Sequence, residues 1–308
     1  MITTMPLWQI SLALMMALLL DYLLGEPRRF HPLVGLGRII TKVEARLNND
    51  SKLFGVAALA LLVLPCLVLY LLELPLWLQI IILYLVIGGR SLTEHGTAVA
   101  LALASGTIED ARTKVSYIVS RKTDSLDEPK VVSATVESML ENGNDAVFGA
   151  LFWFIVGGAP AAIIYRIANT LDARWGYRNE RFNQFGWAAA KFDDLLNWLP
   201  ARLTVLTYAA QGNFRQSLRC AWLQGRQCAS PNGGPVMAAG AGAMNVTIGG
   251  GAEYDGYRCD KPLLGVGTYA DASAIRKACA LVDYGAWAWA GGLALLCIVL
   301  YFITGTLV

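Results

Sequence analysis

Acidic side chains whose spacing suits a divalent cation lie in two segments of the chain. Glu137 and Glu141 stand four residues apart, so a helix places them on one face, with Asp145 one turn further along. Like charges stacked in this way repel each other unless a cation lies among them, and Mg²⁺ is the usual one. A solvated helix face is the alternative interpretation. Asp193 and Asp194 lie among apolar residues, where two carboxylates are costly unless they are paired or bind a metal.

Groups suited to phosphate occur in three other places. Arg121 lies in the polar turn 120–123, and a guanidinium binds phosphate or carboxylate through two parallel hydrogen bonds. Ser230 begins a Ser-Pro-Asn-Gly-Gly turn, and the glycines 249–251 precede Lys261; runs of backbone N–H with a lysine can cradle phosphate. Each of these motifs alone also fits a solvated loop. No Gly-x-x-x-x-Gly-Lys-Ser/Thr sequence is present, so a standard P-loop nucleotide fold is not indicated.

The elements that must position these residues are mostly apolar. Hydrophobic residues make up 56 % of the 308 residues and charged residues 16 %, whereas soluble domains are nearer half apolar and a quarter charged. A helix needs roughly 20 apolar residues to cross a hydrocarbon core of about 30 Å. The sequence therefore predicts an all-α integral membrane protein with a single membrane-embedded domain, 1–308. About four transmembrane helices are expected, at residues 7–24, 54–72, 76–89 and 284–305, although the middle two also fit buried helices.

The apolar segment 146–168 is expected to be a broken helix. At its centre is Gly157-Gly158-Ala159-Pro160, which interrupts helical hydrogen bonding. A break at membrane depth is tolerated where protein surrounds it or where it lines a cavity. We expect a re-entrant or packed helix pair with both ends in the cytoplasm, because the polar segments before and after it then lie on one side. A plain kinked span is the alternative.

Basic residues set the expected orientation of the chain. None precedes the first apolar helix, whereas Arg28, Arg29, Arg38 and Lys42 follow it, which predicts an outside N-terminus and cytoplasmic residues 25–53. The polar segments 90–145, 169–202 and 226–270 are then cytoplasmic, the first with two amphipathic helices and the last rich in loops. The C-terminus, after an uncharged helix, is expected outside. A net charge of +2 gives no indication of nucleic-acid binding.

Taken in order, the motifs resemble those of a known family. Gly157-Gly158-Ala159-Pro160 is followed by Tyr165 and by the run Asn169-Thr170-Leu171-Asp172 with Gly176-Tyr177. Asp193-Asp194 is followed by Leu-Pro-Ala-Arg-Leu at 199–203 and by the Ser-Pro-Asn turn at 230–232. Together they resemble the adenosylcobinamide-phosphate synthases, the CbiB/CobD integral membrane proteins of cobalamin biosynthesis, from Asp21 to about Gly265.

The resemblance implies an ATP-dependent carbon–nitrogen ligase. Members of that family join an amino-alcohol or its phosphate, such as aminopropanol phosphate, to the propionate carboxylate of adenosylcobyric acid. The implied cofactors are ATP and Mg²⁺, and the implied location is the inner membrane, with the active site facing the cytoplasm. Other membrane-bound enzymes of cobalamin assembly and a second copy of the chain are the expected protein partners.

Residue roles follow from the resemblance and from side-chain chemistry. The expected catalytic residues are Glu141, Asn142, Asp172, Asp193 and Asp194. The residues expected to bind substrate or phosphate are Asp21, His31, Arg121, Asn169, Tyr177, Arg202, Ser230, Asn232 and Lys261. Mg²⁺ is expected at Asp145, Asp193 and Asp194.

Four positions depart from the family pattern. Lys122 stands where an acid is usual, Gly143 where threonine is usual, Arg174 where an apolar residue is usual, and Met237 where a glutamate is expected. A changed substrate, a changed metal arrangement or a lost activity would each fit. Two other functions stay open on this scaffold: a non-catalytic membrane sensor, which need not bind ATP, and a corrinoid-binding or transport protein. Against transport, the chain shows no internal repeat.

Overall fold

A computed structural model describes residues 3, 5–27, 31–254, 257–259 and 262–306, with only the backbone at 252–254 and 257–259. The described chain is mostly helical, and five helices are long and apolar enough to cross a membrane. They are Leu7–Leu24, Lys52–Leu71, Leu76–Ser105, Glu128–Trp175 and Ala272–Thr304. Four of them coincide with the predicted spans, and the other contains the predicted broken segment. The helical membrane fold is thereby confirmed.

The chain divides into two compact units, which are described separately. The first unit comprises Met1–Gly88, Gly149–Asn197 and Trp289–Val308, and the second comprises Gly89–Phe148 and Trp198–Ala288. The single domain expected over residues 1–308 stays a prediction.

The first unit is built from long apolar helices. Its elements are α1 (Leu7–Leu24), α2 (Pro32–Leu47), α3 (Lys52–Val63) with a 3₁₀ continuation (Leu64–Leu71), α4 (Leu76–Val86), α8 (Gly149–Trp175), the start of α9 (Trp187–Ala210) and the end of α12 (Ala272–Thr304). A core of Ile40, Leu171, Trp175, Phe185 and Ala189 packs α2 and α8 against the start of α9. Large apolar side chains also point outwards, among them Leu71 at 77 % exposure. A lipid environment stabilises such a surface and water does not.

The helix break predicted at the Gly-Gly-Ala-Pro sequence is present in α8. Gly158 has φ of 67° and ψ of −163°, a conformation that favours glycine. The backbone groups released by the break are bound by protein: Ala159 N donates to Gln79 Oε1 at 3.1 Å, and Thr3 N donates to Val156 O at 2.8 Å. Such partners allow an interrupted helix to be stable at membrane depth. Whether the segment crosses the bilayer or re-enters stays a prediction.

The second unit consists of shorter helices and a small sheet. Its helices are α5 (Gly89–Ser105), α6 (Ile108–Val115), α7 (Glu128–Gly143) with a π turn (Asn144–Phe148), the remainder of α9, α10 (Phe214–Leu223) with a 3₁₀ turn (Gly225–Gln227), α11 (Gly233–Met244) and the start of α12. Its strands are β1 (Val246–Gly249), β2 (Ala252–Tyr254), β3 (Tyr257–Cys259), β4 (Leu263–Gly265) and β5 (Thr268–Tyr269). Strand β1 pairs antiparallel with β4 and parallel with β5, while β2 and β3 form a hairpin.

The expectation of a loop-rich segment over 226–270 is wrong over α11. Its sequence, Gly-Gly-Pro-Val-Met-Ala-Ala-Gly-Ala-Gly-Ala-Met, consists of small and apolar residues, nearly all of them buried. Small side chains allow neighbouring helices to approach closely, so the composition that resembles a loop builds a packed helix. The short strands are a second feature that the all-helical prediction lacked.

Candidate active site

Helix α7 presents a row of polar side chains at four-residue intervals. The helix begins where Asp127 accepts a hydrogen bond from Lys130 N at 3.1 Å, with Pro129 in the first turn; both features are typical of helix starts. Ser133, Glu137 and Glu141 then follow on one face. The shared face predicted for the two glutamates is confirmed, whereas Asp145 lies in the π turn after the helix ends.

Glu137 forms a buried ion pair with Arg121. Arg121 Nη2 donates to Glu137 Oε2 at 2.6 Å, and the two side chains are 10 % and 4 % exposed. Ser133 Oγ donates to the other carboxylate oxygen at 3.0 Å. A buried pair is stable only when further hydrogen bonds satisfy its remaining atoms, as Ser133 does for Glu137. Arg121, predicted to bind phosphate, therefore has a structural partner on α7.

The glycine run predicted to bind phosphate is attached to the same helix. Gly249 N donates to Ser133 Oγ at 2.7 Å, so a hydrogen-bonded chain leads from the glycine backbone through Ser133 to Glu137 and Arg121. Lys261, the lysine expected to act with these glycines, lies outside the described residues.

Glu141 lies against the N-terminus of α11. The hydroxyl of Ser230 accepts hydrogen bonds from Asn232 N at 3.3 Å and from Gly233 N at 2.9 Å, which closes the turn before the helix. A Cβ atom on Gly233 would overlap Glu141 Oε1 and lie 3.1 Å from its Cδ, so only glycine permits this approach. The partial positive charge of a helix N-terminus stabilises a carboxylate.

Arg202 completes the cluster at this turn. Its Nη1 donates to Asn232 Oδ1, and its Nη2 donates to Pro231 O at 3.2 Å. The guanidinium carbon also lies 5.0 Å from the centre of the Trp198 ring. Partial burial lowers the pKa of the Arg202 guanidinium from its ordinary value. The structure thus brings together Glu141, Arg202, Ser230 and Asn232, four of the predicted site residues.

Asn142 and Asp145 bind neighbours within the second unit. Asn142 Nδ2 donates to the backbone oxygen of Ser138 at 3.0 Å and to its hydroxyl at 3.1 Å. Asp145 Oδ1 accepts from Asn144 Nδ2 at 2.9 Å, and Asn144 Oδ1 accepts from Thr204 Oγ1 at 2.9 Å. These bonds orient the two predicted residues, and the half-buried Asp145 carboxylate stays one turn beyond Glu141.

The first unit contains a second polar cluster, around Asp193. Asn197 Nδ2 donates to both Asp193 oxygens at 3.0 and 3.1 Å, and Tyr165 Oη donates to Asn197 Oδ1 at 2.9 Å. Asp194 faces elsewhere and forms an ion pair with Lys191 at 3.2 Å, in which the side chains are 29 % and 59 % exposed. The cost of adjacent buried acids is thus reduced because only Asp193 is buried.

This difference predicts unequal effects on stability for the two aspartates. Asp193→Ala removes both of these acceptors from the buried Asn197 amide and is expected to cost about 1–3 kcal/mol. Asp194→Ala removes a surface pair, worth about 1 kcal/mol or less. Thermal unfolding of the purified variants in detergent measures the difference, and equal shifts would contradict the assigned hydrogen bonds.

The other predicted residues of the first unit have varied settings. His31 Nδ1 accepts from Leu33 N at 3.2 Å and caps α2, which is a structural role. Asp21 is buried near the end of α1, and the carboxylate of Asp172 lies against Gly176. Asn169 is half-buried and Tyr177 is exposed.

Comparison with known proteins identifies the family. The model of the CobD/Cbib protein family matches residues 14–282. The chain belongs to the CobD/Cbib family. A cobalamin biosynthesis protein CobD of Chromobacterium violaceum is 52 % identical, with 91 % of this chain and 94 % of the relative covered. One from Stutzerimonas stutzeri is 51 % identical over 91 % and 95 % of the two chains, and one from Halalkalibacterium halodurans is 37 % identical over 84 % and 87 %. No solved structure matches the chain. The predicted family is confirmed.

The four positions expected to depart from the family pattern have different surroundings. Lys122 is exposed. Arg174 Nη2 donates to Thr41 Oγ1 at 2.8 Å, so it joins α8 to α2. Met237 is 8 % exposed within α11, and the expectation that it lies on a polar loop is wrong. A glutamate at that position would be buried, so restoring the expected acid there would destabilise α11.

Gly143, the fourth of these positions, is closely packed. A Cβ atom at this position would overlap Tyr208 Oη and lie 2.5 Å from Val282 Cγ2. Tyr208 is fully buried and donates to Leu140 O at 3.0 Å, and burial raises its pKa well above the ordinary value. The neutral phenol thus occupies the space that the expected threonine side chain would need.

We therefore expect Gly143→Thr to destabilise this CobD/Cbib protein by about 1–3 kcal/mol through overpacking. The pair Gly143→Thr with Tyr208→Phe removes the overlapping hydroxyl and is expected to recover part of the loss. The measurement is thermal unfolding in detergent, with Gly291→Ala as a control, since nothing lies within 4 Å of a Cβ atom there. A Gly143→Thr protein as stable as the parent would contradict this explanation.

Several polar residues of the clusters in the two units were not singled out from the sequence. Ser133 links Gly249 to Glu137, Asn197 holds Asp193, and Tyr208 limits position 143. The i, i+4 spacing of Ser133 to Glu137 and of Asp193 to Asn197 was a usable signal. The proximity of Tyr208 to Gly143 could not be predicted, because no local sequence pattern indicates it.

Proposed function

We propose that this CobD/Cbib protein joins an amino-alcohol, or its phosphate ester, to the propionate carboxylate of adenosylcobyric acid at the expense of ATP. Family membership over residues 14–282 carries the proposal. The relatives from Chromobacterium violaceum and Stutzerimonas stutzeri, named as cobalamin biosynthesis proteins, match along 94 % and 95 % of their length. The proposal is also supported by the second unit, where the Glu141 carboxylate and the Arg202 guanidinium lie at the N-terminus of α11.

The chemistry explains why such groups are needed. A carboxylate is a poor electrophile, so one of its oxygens first attacks the terminal phosphorus of ATP, and ADP leaves. The amine then attacks the acyl carbon of the acyl phosphate, phosphate leaves, and the nitrogen loses a proton. Arg202, beside the N-terminus of α11, is suited to hold phosphate oxygens. Positioning and exclusion of water protect the acyl phosphate from hydrolysis.

Mg²⁺ is proposed to act with the nucleotide. Among the residues that the structure describes, no group of three His, Cys, Asp or Glu side chains could hold a metal ion. A site with fewer carboxylates still fits Mg²⁺, because this ion is usually held by one or two carboxylates together with substrate phosphates and water. We propose Glu141, with Asp145 one turn on, as its ligands in the second unit. Bound Mg²⁺ would neutralise the charge of the phosphates.

The finer assignments of substrate and location are also proposals. The basic residues after α1 support a cytoplasmic site in the inner membrane, where ATP is available. We propose that Asp21, Asn169 and Tyr177 of the first unit take part in substrate binding. Asp172, Asp193 and Asp194 are proposed to take part in catalysis. Other membrane-bound enzymes of cobalamin assembly are proposed as partners, with no role for nucleic acid.

Purified protein in detergent or nanodiscs, supplied with ATP, Mg²⁺ and adenosylcobyric acid, tests the proposal. We expect an amidated corrinoid and one ADP for each amide, only when an amino-alcohol or its phosphate is present. The CobD of Chromobacterium violaceum, assayed in parallel, controls for the substrates. A chain that binds corrinoid but neither binds ATP nor forms ADP would instead be a sensor or a carrier.

A further inference from the structure

Helix α10 has one buried face and one bare face. It begins at Asn213, whose side chain accepts from Gln216 N at 3.2 Å. Ser217 Oγ donates to Ala239 O at 2.9 Å, and Ser217, Cys220 and Ala221 are buried against α11. The opposite face is not covered by any part of the chain that the structure describes.

The bare face combines large apolar side chains with arginines. Phe214, Trp222 and Leu223 are 49 %, 63 % and 54 % exposed, and Arg215 and Arg219 on the same side of the helix are exposed as well. Just beyond the helix, the Arg226 guanidinium lies 3.3 Å from the centre of the Trp222 ring. Exposed tryptophan and arginine together are typical of a helix lying in the membrane interface.

Charge identifies the kind of surface that fits this face. Residues 195–252 contain no aspartate or glutamate and carry four arginines, namely Arg202, Arg215, Arg219 and Arg226. Three of the four belong to α10 and the turn after it. A basic face flanked by apolar side chains complements anionic headgroups, because arginine reaches the phosphates while the rings enter the acyl boundary.

We propose that α10 is an interfacial helix that binds the anionic phospholipid surface of the membrane. A chain with five candidate spans is always beside such a surface. A basic face alone also suits an acidic protein, but an acidic protein partner would not require Phe214, Trp222 and Leu223 to be exposed at both edges of the arginine row. The bilayer interface accounts for the charged and the apolar residues together.

The test measures the depth of Trp222 in lipid nanodiscs. The chain has nine tryptophans, so the Trp222 signal is the difference in fluorescence between the full-length protein and Trp222→Phe. We expect this signal to be quenched more by phospholipid brominated near the headgroup than by phospholipid brominated near the chain end. We also expect stronger quenching in phosphatidylglycerol nanodiscs than in phosphatidylcholine nanodiscs, and less of this difference at high salt.

A charge variant with a matched control isolates the arginines. Arg215→Gln with Arg219→Gln should bring the ratio of quenching in phosphatidylglycerol to quenching in phosphatidylcholine much closer to one, because each arginine favours an anionic surface by about fivefold. Lys114→Gln with Arg178→Gln removes the same charge from two other exposed positions and should leave the ratio unchanged. Quenching by aqueous acrylamide alone would overturn the proposal and indicate a face for water or a soluble partner. Strongest quenching at the chain end, or no dependence on anionic lipid, would overturn it too.

Discussion

Replacing Arg121 by methionine is expected to lower the free energy of unfolding by about 3–5 kcal/mol, because the Glu137 carboxylate then stays buried without this cation. The pair is almost inaccessible to solvent, so water cannot take over the role of the guanidinium. The measurement is thermal or denaturant unfolding of the purified protein in detergent. Lys130→Met is a matched control, since the Lys130–Asp127 pair is 56 % and 59 % exposed and contributes about 1 kcal/mol or less.

The double variant Arg121→Met with Glu137→Met separates folding from catalysis. Replacing both members of a buried ion pair by apolar residues of similar size is often neutral or stabilising. We therefore expect the double variant to regain most of the lost stability. If Arg121 also binds phosphate, as the sequence predicts, the double variant stays inactive although it is folded. A double variant no more stable than Arg121→Met would contradict the ion pair as the cause of the loss.

Glu141→Gln is expected to reduce amide synthesis by about 10²–10⁴-fold, the range for a charged group that acts directly at a reacting centre. The amide keeps the shape of the side chain and removes its charge. Stability should fall by only about 0.3–1 kcal/mol, the value of a carboxylate at a helix N-terminus. The assay is ADP formation with adenosylcobyric acid and amine, and turnover like that of the parent would contradict a catalytic role.

Two further experiments test whether the loss of activity depends on the position of the Glu141 carboxylate and on Mg²⁺. Gly233→Ala would displace the Glu141 carboxylate, because a Cβ atom there overlaps Oε1, and it should therefore lower activity without removing any functional group. Gly291→Ala, with open space around it, should have no effect. A Mg²⁺ titration completes the series: Glu141→Gln should require more Mg²⁺ for half-maximal rate if Glu141 is a ligand.

Local periodicity explains which features could be predicted from the sequence. Spans such as Leu7–Leu24 follow from apolar length alone. The shared face of Glu137 and Glu141 follows from helical spacing, and the break at Gly158 from glycine and proline. Each of these features depends on residues within a few positions of one another.

Features that depend on distant residues could not be predicted. Arg121 and Glu137 are 16 positions apart, and Gly249 is 116 positions from Ser133, so only tertiary packing selects these partners. Met237 was expected on a loop because glycine and alanine surround it, but the same small residues allow α11 to be buried. His31, expected to bind substrate, caps α2, a role that depends on where the helix begins.

The transfer of oxygen from the corrinoid carboxylate to phosphate tests the central claim most directly. Adenosylcobyric acid labelled with ¹⁸O in its free carboxylate is incubated with the protein, ATP, Mg²⁺ and the amino-alcohol phosphate, and the released orthophosphate is examined by mass spectrometry. Because the attacking oxygen stays on phosphorus when the amine displaces it, we predict one ¹⁸O in orthophosphate for each amide formed. Amide formation without label in orthophosphate, or ATP hydrolysis without amide, would contradict the account.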